Sequence, residues 1–378
     1  MSRPVKPCRS SGQAIAEAEA LRPRYSALDA LRAVAALCVI VYHAVLLNGI
    51  GIPEIAKVFV YRFGLAVPLF YALSAFSLAV GYYGRLRTGD DLIRYALRRY
   101  FRIAPLFYAL IPIWIAVTGF KYGQITTPFQ VFANLTFLFG FMPGIHESLV
   151  WAGWSIGVEM IFYALLPLVL LAARGVGSSL ALYAASLVVA VAFQAWIGPD
   201  GSYGYMNIVT HLPHFMAGLA AFHVHRSGLL DGRDRLRAAL LPAGLSIWAL
   251  MAAFRISHPV VRGVDVEQYL VALAFPCVIL SQLNRPSALL VNRVGLYLGR
   301  RSFSLYLLHP LVIVAIAPLV AALTAAHGTA VTVVAVVAMI ILMTVAAASI
   351  TYPLIEARFM RIGGRVEAAV RQARLSRR

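Results

Sequence analysis

The sequence predicts an all-α, polytopic membrane protein with about ten transmembrane helices and with both termini in the cytoplasm. Of its 378 residues, 61% are hydrophobic and only 13% are charged, and the mean hydropathy is +0.79. Soluble proteins carry about 25% charged residues, so this composition excludes a soluble globule. The apolar residues fall into runs of about 20, the length that an α-helix needs to cross a hydrocarbon core ~30 Å thick.

Ten apolar runs, bounded by charged residues, glycine or proline, are the predicted spans. They cover residues 28–48, 58–82, 103–120, 154–173, 178–197, 207–225, 238–255, 267–284, 302–323 and 329–354. The segment 128–142 is too short to cross comfortably, and we expect a re-entrant or interfacial helix there. One membrane domain, residues 28–355, therefore lies between a basic tail at 1–27 and a second basic tail at 356–378.

The basic charge of the chain follows its predicted topology. The chain has 33 Lys and Arg against 15 Asp and Glu, and a net charge of +18. With the N-terminus inside, 27 of the 33 fall in inner segments, four in outer segments and two within spans. This asymmetry is the positive-inside pattern, so the charge indicates a lipid bilayer rather than a nucleic-acid partner. The three cysteines show no paired spacing, which predicts neither a disulfide framework nor a thiol metal site.

The first span carries two polar residues that belong to one helix face. Arg32 and His43 are eleven positions apart, close to three helical turns, which places them ~16 Å apart along the axis. Ionisable groups inside a span usually face the bundle interior or a water-filled cavity. The alternative is that Arg32 reaches the head groups and His43 is a hydrogen-bonded packing residue.

A dense arginine cluster precedes the third span. The stretch Arg94-Tyr-Ala-Leu-Arg-Arg-Tyr-Phe-Arg-Ile-Ala-Pro105 is predicted to be a cytoplasmic loop, and its arginines Arg98, Arg99 and Arg102 lie at the mouth of the span. Guanidinium groups bind phosphate through rigid bidentate contacts. The cluster is therefore a candidate phosphate site, and ordinary positive-inside charge is the alternative.

The fourth span begins with a second polar group, in the segment Trp151-Ala-Gly-Trp-Ser-Ile-Gly-Val-Glu-Met-Ile-Phe-Tyr163. Glu159 lies about two turns into the membrane and needs a partner, for which Arg32, Arg62 or a histidine are the candidates. Trp154 and Ser155 enter with it from the outer side and would approach His43 from the face opposite the arginine cluster.

Histidines in two later spans raise the question of a metal. His211 and His214 share a helix face in the sixth span, but no acidic third ligand lies nearby, and we predict no metal. In the ninth span Tyr306 and His309 are one turn apart and a few residues from the cytoplasmic face, and a hydrogen-bonded structural pair is one interpretation of them. Glu356, after the last span, is expected to meet a cytoplasmic arginine.

Taken together, these stretches resemble one family, the integral-membrane acyltransferase-3 group. Its Arg, ten residues, His signature falls on Arg32 and His43, and its R-R-x-x-R-I-x-P motif is similar to Arg98 to Pro105. Its F-F-x-L-S-G-F resembles Phe70 to Phe76, with Ala75 where glycine is usual. Its W-S-L-S-V-E-E-x-F-Y resembles Trp154 to Tyr163, with Gly157 for the second serine and Met160 for the second glutamate. Ser304-Leu-Tyr-Leu-Leu-His-Pro310 and the terminal Tyr352…Ile-Glu356 also match, so the resemblance covers residues 25–362.

The resemblance implies transfer of an acyl group, most often acetyl, from cytoplasmic acyl-CoA to a hydroxyl of a carbohydrate or glycosylated metabolite, in the bacterial cytoplasmic membrane. No permanently bound cofactor is expected, and the sequence predicts no oligomeric state. His43 would be the general base or a transient acyl carrier, oriented by Asp29 or Glu159, and Arg32 would hold the thioester oxygen or the pyrophosphate. The substrate-binding residues would be Arg98, Arg99, Arg102, Trp154, Ser155, Tyr306 and His309. The rival interpretation is a non-enzymatic transporter, which predicts inverted repeats that the sequence does not show.

Overall fold

The computed structural model describes residues 25–198, 202–253, 260–261, 264–327 and 330–375, and it confirms the all-α fold. Its helices in chain order are α1 (Ser26–Leu47), α2 (Glu54–Val60), α3 (Ala66–Tyr82), α4 (Gly89–Tyr122), α5 (Pro128–Leu135), α6 (Trp154–Ala172), α7 (Val176–Ile197), α8 (Ile208–Arg226), α9 (Asp234–Ala253), α10 (Val266–Asn284), α11 (Arg293–Arg300), α12 (Ser302–His327), α13 (Ala330–Thr351) and α14 (Ala357–Leu375). Among the described residues, two short strands of two residues each, Val260–Val261 and Val264–Asp265, pair antiparallel.

Eight helical segments in the described part of the chain are long and apolar enough to cross a membrane. They are Ser26–Leu47, Glu54–Tyr82, Gly89–Tyr122, Trp154–Ala172, Val176–Ile197, Val266–Asn284, Ser302–Ala326 and Ala330–Ala373. The other two predicted spans lie on α8 and α9, which are also long helices. Histidines dilute the apolar residues of α8, and the charged residues Asp234, Arg235 and Arg237 begin α9.

Helix α8 lies inside the bundle, which explains its weaker hydropathy. It packs against α3, α7 and α10, and most of its side chains are buried. Its contact with α3 is very close, because a Cβ atom on Gly218 would lie 2.1 Å from the backbone oxygen of Ala72. A helix surrounded by other helices has no need of an apolar face toward lipid, so it tolerates histidines that a peripheral helix would not.

Helix α4 corrects the predicted loop before the third span. Its 34 residues begin at Gly89, where Thr88 and Asp91 form a capping box: the Thr88 hydroxyl accepts from the Asp91 amide at 3.2 Å and the Asp91 carboxylate accepts from the Thr88 amide at 3.0 Å. The whole arginine cluster is therefore helical. At ~1.5 Å per residue α4 is ~50 Å long, which exceeds a ~30 Å hydrocarbon core by ~20 Å.

The segment 128–142 forms short helices, as predicted. Helix α5 is followed by a single 3₁₀ turn, Leu138–Phe141, and neither is long enough to cross a bilayer. Their large apolar side chains Phe129, Phe132, Leu135, Leu138 and Phe141 are exposed. An exposed aromatic face of this kind is suited to the interface between membrane and water.

The last span continues into the C-terminal helix. Helix α13 passes through a π-helical turn, Tyr352–Glu356, directly into α14. Helix α14 packs back on α4, so it lies beside the arginine cluster. The predicted tail at 1–27 falls outside the described residues except for its last three positions.

Candidate active site

Four helices, α1, α3, α6 and α12, bring the polar residues of the predicted spans together in the centre of the bundle. Helix α1 packs against α3 and α12, and α3 contacts α6. Arg32 and His43 lie on one face of α1 but about three turns apart. They therefore meet different partners at two levels of the bundle. Arg32 contacts α3 and His43 contacts α12.

Arg32 is held by two short hydrogen bonds. One of its terminal nitrogens donates to Asp29 at 2.9 Å, one turn earlier in α1, and the other donates to the Ser77 hydroxyl of α3 at 2.6 Å. Asp29 therefore contacts Arg32, and the expectation that Asp29 orients His43 is not met. The Asp29 carboxylate is close enough to Arg32 because residues three apart face each other on a helix.

Glu159 is bound by hydroxyl groups, contrary to the expectation of an arginine or histidine partner. Its Oε1 accepts from the Ser74 hydroxyl at 2.6 Å and from the Tyr163 hydroxyl. Arg62, one of the candidate partners, forms an ion pair with Glu267 at 2.5 Å instead. Sequence could not separate these options, because hydroxyl groups satisfy a buried carboxylate as well as a cation does.

A hydrogen bond between Ser155 and Tyr306 joins α6 to α12. The Ser155 hydroxyl donates to the Tyr306 oxygen at 2.8 Å, and the Tyr306 hydroxyl donates to the carbonyl of Ala152 at 3.2 Å. Ala152 has a φ of 64°, a left-handed conformation that a residue with a Cβ adopts only when its surroundings impose it. Tyr306 of α12 therefore contacts the residues at the start of α6.

The side chain of Trp154, the residue before Ser155, packs among aromatic rings. Its ring is 5.5 Å from that of His211 and 5.4 Å from that of Tyr205. His211 also packs 5.0 Å from Tyr71. Trp154 and Ser155, which are adjacent in sequence, thus contribute to one buried polar and aromatic region between α3, α6, α8 and α12.

His43 and His309 are in direct contact. His43 Nδ1 and His309 Nε2 are 2.8 Å apart, and the two rings are stacked with their centroids at 5.0 Å. His309 Nδ1 lies 2.6 Å from the backbone carbonyl of Tyr306. His309 is fully buried, whereas His43 is half-buried. The hydrogen-bond partner of His43 is therefore His309, to which the family resemblance assigns substrate binding.

The three arginines of the cluster differ in their surroundings. Arg98 is bound by both carboxylate oxygens of Glu367 in α14, at 2.7 and 3.0 Å. Arg99 lies over the rings of Tyr82 and Tyr163, each 5.9 Å from its guanidinium carbon, and its buried Nε has no hydrogen-bond partner. Neither Arg99 nor Arg102 forms an ion pair with any described residue. Arg99 and Arg102, unlike Arg98, thus have no carboxylate within 4 Å among the residues that the structure describes.

Glu356 forms no ion pair within 4 Å among the described residues, but Arg102 and Arg301 lie near enough to stabilise its charge electrostatically. It is buried and accepts a hydrogen bond from Ser304 at the start of α12. Arg301 stacks over the rings of Tyr297 and Tyr352 instead, at 3.5 and 4.9 Å. The carboxylate is satisfied by a hydroxyl here too, as at Glu159.

The histidines of α8 are dispersed among packing partners. His214 Nε2 lies 2.9 Å from the carbonyl of Gln268, and His223 packs against Tyr83. Within the ranges that the structure describes, no three His, Cys, Asp or Glu side chains gather in an arrangement that could hold a metal ion.

Residues 25–352 match the acyltransferase 3 family model, described as an acyltransferase domain. The chain belongs to the acyltransferase 3 family. It is therefore a multi-pass membrane protein with an acyltransferase domain, which favours an acyltransferase over the transporter interpretation.

One curated relative of this acyltransferase covers only part of it. The protein named "Putative acetyltransferase ORF330" from Acidianus two-tailed virus is 30% identical over 140 residues, or 37% of this chain and 39% of the viral protein. The chain thus spans about two fifths of the length of that relative. No solved structure matches this acyltransferase significantly.

Proposed function

We propose that this acyltransferase moves an acyl group, acetyl in the simplest case, from cytoplasmic acyl-CoA to a hydroxyl of a carbohydrate or glycosylated metabolite. We place it in the bacterial inner membrane. The family supports acyltransferase activity, and this donor, this acceptor and this membrane are the finer part of the proposal. Two buried polar clusters carry it: Tyr163, Glu159 and Ser74 adjoin Arg99, and Ser155, Tyr306 and His309 adjoin His43.

The arginine end suits the donor. CoA carries phosphate groups, and Arg99 and Arg102 are unpaired cations at the end of the bundle that the positive-inside rule places in the cytoplasm. Tyr82 and Tyr163 pack against Arg99, which holds its planar fork in place and reduces the entropy lost on binding phosphate. Arg98 is occupied by Glu367, so we assign it to the support of the site rather than to phosphate.

The histidine end suits the acceptor. A hydroxyl is a weak nucleophile at neutral pH, and a general base contributes about 10²–10⁴-fold to the rate. In direct transfer, His43 takes the hydroxyl proton as the oxygen attacks the thioester carbonyl. The new C–O bond forms, the C–S bond breaks, and the departing CoA thiolate takes up a proton. Arg32, ~16 Å from His43 along α1, would contact the donor on its way between the two ends.

A relay through His43 uses the same residues in two steps. The imidazole attacks the thioester first, which releases CoA and leaves an acyl-imidazole, and the acceptor hydroxyl then takes the acyl group. In either version Glu159 stabilises the site through Ser74 and Tyr163, and Trp154, Ser155 and Tyr306 line the acceptor side. Rapid quench with radiolabelled acyl-CoA separates the versions, because a relay puts label on the protein before product appears.

The decisive experiment measures release of free CoA by the purified protein in nanodiscs, with and without a bacterial glycan extract. We expect glycan-dependent release that His43→Ala abolishes and that Arg99→Ala/Arg102→Ala slows through a higher KM for acyl-CoA. Full activity of His43→Ala would refute the catalytic assignment. Absence of acyl-CoA binding by the wild type would refute the donor.

Two variants control for general damage. His146, in the loop before α6, hydrogen-bonds to Ser202 at 2.9 Å, and burial lowers its pKa, so it is neutral at pH 7. His146→Ala removes a histidine outside the proposed site and should keep glycan-dependent release. Arg358→Gln removes an exposed arginine of α14 and should leave the KM for acyl-CoA unchanged.

A further inference from the structure

Pro310, which directly follows His309, leaves the backbone carbonyl of Tyr306 without its usual helical hydrogen-bond donor. In an α-helix the carbonyl of residue i accepts from the amide of residue i+4. The partner of the Tyr306 carbonyl would be residue 310, which is proline and has no N–H. Buried carbonyl groups nearly always find a donor. Here the side chain of His309 takes the place of the missing amide, with its Nδ1 at 2.6 Å from that oxygen.

This contact decides which nitrogen of His309 carries the proton. A carbonyl oxygen can only accept, so His309 Nδ1 must be the donor. In a neutral imidazole one nitrogen is protonated and the other is not. His309 Nε2 is therefore an acceptor, and it lies 2.8 Å from His43 Nδ1.

The same logic then fixes His43. Because His309 Nε2 accepts, His43 Nδ1 must donate, and His43 carries its proton on Nδ1. Its Nε2 is left with a lone pair, and the side chain of His43 is half-buried rather than fully enclosed. The chain of hydrogen bonds from the Tyr306 carbonyl through two imidazoles thus leaves one lone pair, on His43 Nε2, that can accept a proton.

We propose that His309 is a positioning residue, which, together with the carbonyl that Pro310 frees, fixes His43 as the tautomer whose Nε2 accepts a proton. The inference rests on the proposed function only for the use that His43 makes of this nitrogen. The tautomer itself follows from the hydrogen bonds. A purely structural role predicts instead that any residue of similar size at position 309 supports activity once the protein is folded.

Two amide substitutions at His309 separate these roles. The end of a glutamine side chain reaches the place of Nε2, so His309→Gln keeps an oxygen that accepts from His43. The shorter asparagine reaches the place of Nδ1, so His309→Asn keeps the contact with Tyr306 and loses the contact with His43. Both are neutral and polar, and each is the other's matched control for folding.

The first readout is kinetic. We expect His309→Gln to retain kcat within about tenfold of the wild type, and His309→Asn to lower kcat by about 10²-fold, the lower end of a general base's contribution. The KM for acyl-CoA should stay within about threefold in both variants, because the side chain at position 309 lies at the histidine end and not beside Arg99 and Arg102. Equal losses in the two variants, or a loss confined to KM, would overturn the positioning role.

The second readout is independent of turnover. Nitrogen-15 NMR of the histidine-labelled protein, with the His43 signals assigned by their loss in His43→Ala, reports which ring nitrogen is protonated. We expect Nδ1 of His43 to be protonated and Nε2 to be bare in the wild type and in His309→Gln. A protonated Nε2 in the wild type would refute the inference even if His43 is the base. Conversely, an active His43→Ala would refute the proposed function while leaving the tautomer measurement intact.

Discussion

The ring of Phe139 lies against the α-carbon of Gly157, in space that a side chain at position 157 would need. A Cβ atom on Gly157 would be 2.7 Å from two carbons of the Phe139 ring. Phe139 is fully buried, in the 3₁₀ turn before α6. The family motif W-S-L-S-V-E-E has serine at this position. In this chain, the ring of Phe139 occupies the space that the serine side chain would need.

Gly157→Ser should therefore destabilise the protein even though it restores the family motif. Overpacking of a close-packed core typically costs about 1–3 kcal/mol. Phe139→Val should reduce that cost, so the double variant should be less destabilised than the sum of the two single variants. Thermal unfolding in detergent measures this. Gly81→Ala is the control, because its Cβ would meet no atom within 4 Å; additive effects would show that the ring and the glycine are not coupled.

Glu267→Gln should cost far more than a surface substitution. Arg62 and Glu267 pair at 2.5 Å, with side chains only 6% and 2% exposed, and Arg62 also donates to the carbonyls of Val58 and Met251. Removal of one member of a buried pair leaves an uncompensated charge and typically costs about 3–5 kcal/mol. A midpoint of thermal unfolding equal to that of the wild type would contradict this.

The exposed pair of Lys57 and Glu54 provides the matched control. Its nitrogen and oxygen are also 2.5 Å apart, but the Glu54 side chain is 86% exposed. Glu54→Gln should leave the midpoint unchanged, since water already solvates both charges.

Arg98→Gln and Arg99→Gln should have different effects on donor binding. Arg98 is occupied by Glu367, whereas Arg99 has no ion-pair partner among the described residues. We expect Arg99→Gln to raise the KM for acyl-CoA about tenfold or more, and Arg98→Gln to change it less than threefold, since one charge-assisted hydrogen bond contributes about 1.5–3 kcal/mol. Steady-state kinetics in nanodiscs gives both values. A larger effect at Arg98 would mean that the donor displaces Glu367.

Tyr163→Phe and Ser74→Ala should each weaken the support of Glu159. Both hydroxyl groups donate to the same carboxylate oxygen, and a hydrogen bond to a charged group contributes about 1.5–3 kcal/mol. If Glu159 takes part in catalysis, kcat falls about tenfold in each variant with little change in the unfolding midpoint. A fall in the midpoint with an unchanged kcat would show that Glu159 has a structural role alone.

Hydropathy predicted where helices form, because a bilayer sets their length, and each of the ten predicted spans falls on a helix in the part of the chain that the structure describes. The spacing of Arg32 and His43 predicted one helix face correctly. The inner end of α4 was missed because a run of arginines reads as a loop, although Thr88 and Asp91 carry the spacing of a helix cap. Hydroxyl partners for Glu159 and Glu356 were missed because serine and tyrosine are too common to mark a partner.

The contact between His43 and His309 could not be predicted from sequence spacing, because it joins distant spans. Local patterns report only neighbours along one helix. Pro310 was the available signal. A proline four residues after Tyr306 leaves the Tyr306 carbonyl without its helix donor, and the side chain of His309 can then donate to that carbonyl. That inference requires only helix geometry, but the identity of the second histidine needs the fold.

The distance in sequence between the two histidines, 266 positions, has a consequence for biosynthesis. A ribosome makes α1 first, and most of the chain must follow before α12 leaves the exit tunnel. Until α12 has entered the bilayer and closed against α1, His43 lacks the partner that orients it. A nascent or truncated chain that contains every arginine of the proposed donor site but lacks α12 is therefore expected to transfer no acyl groups.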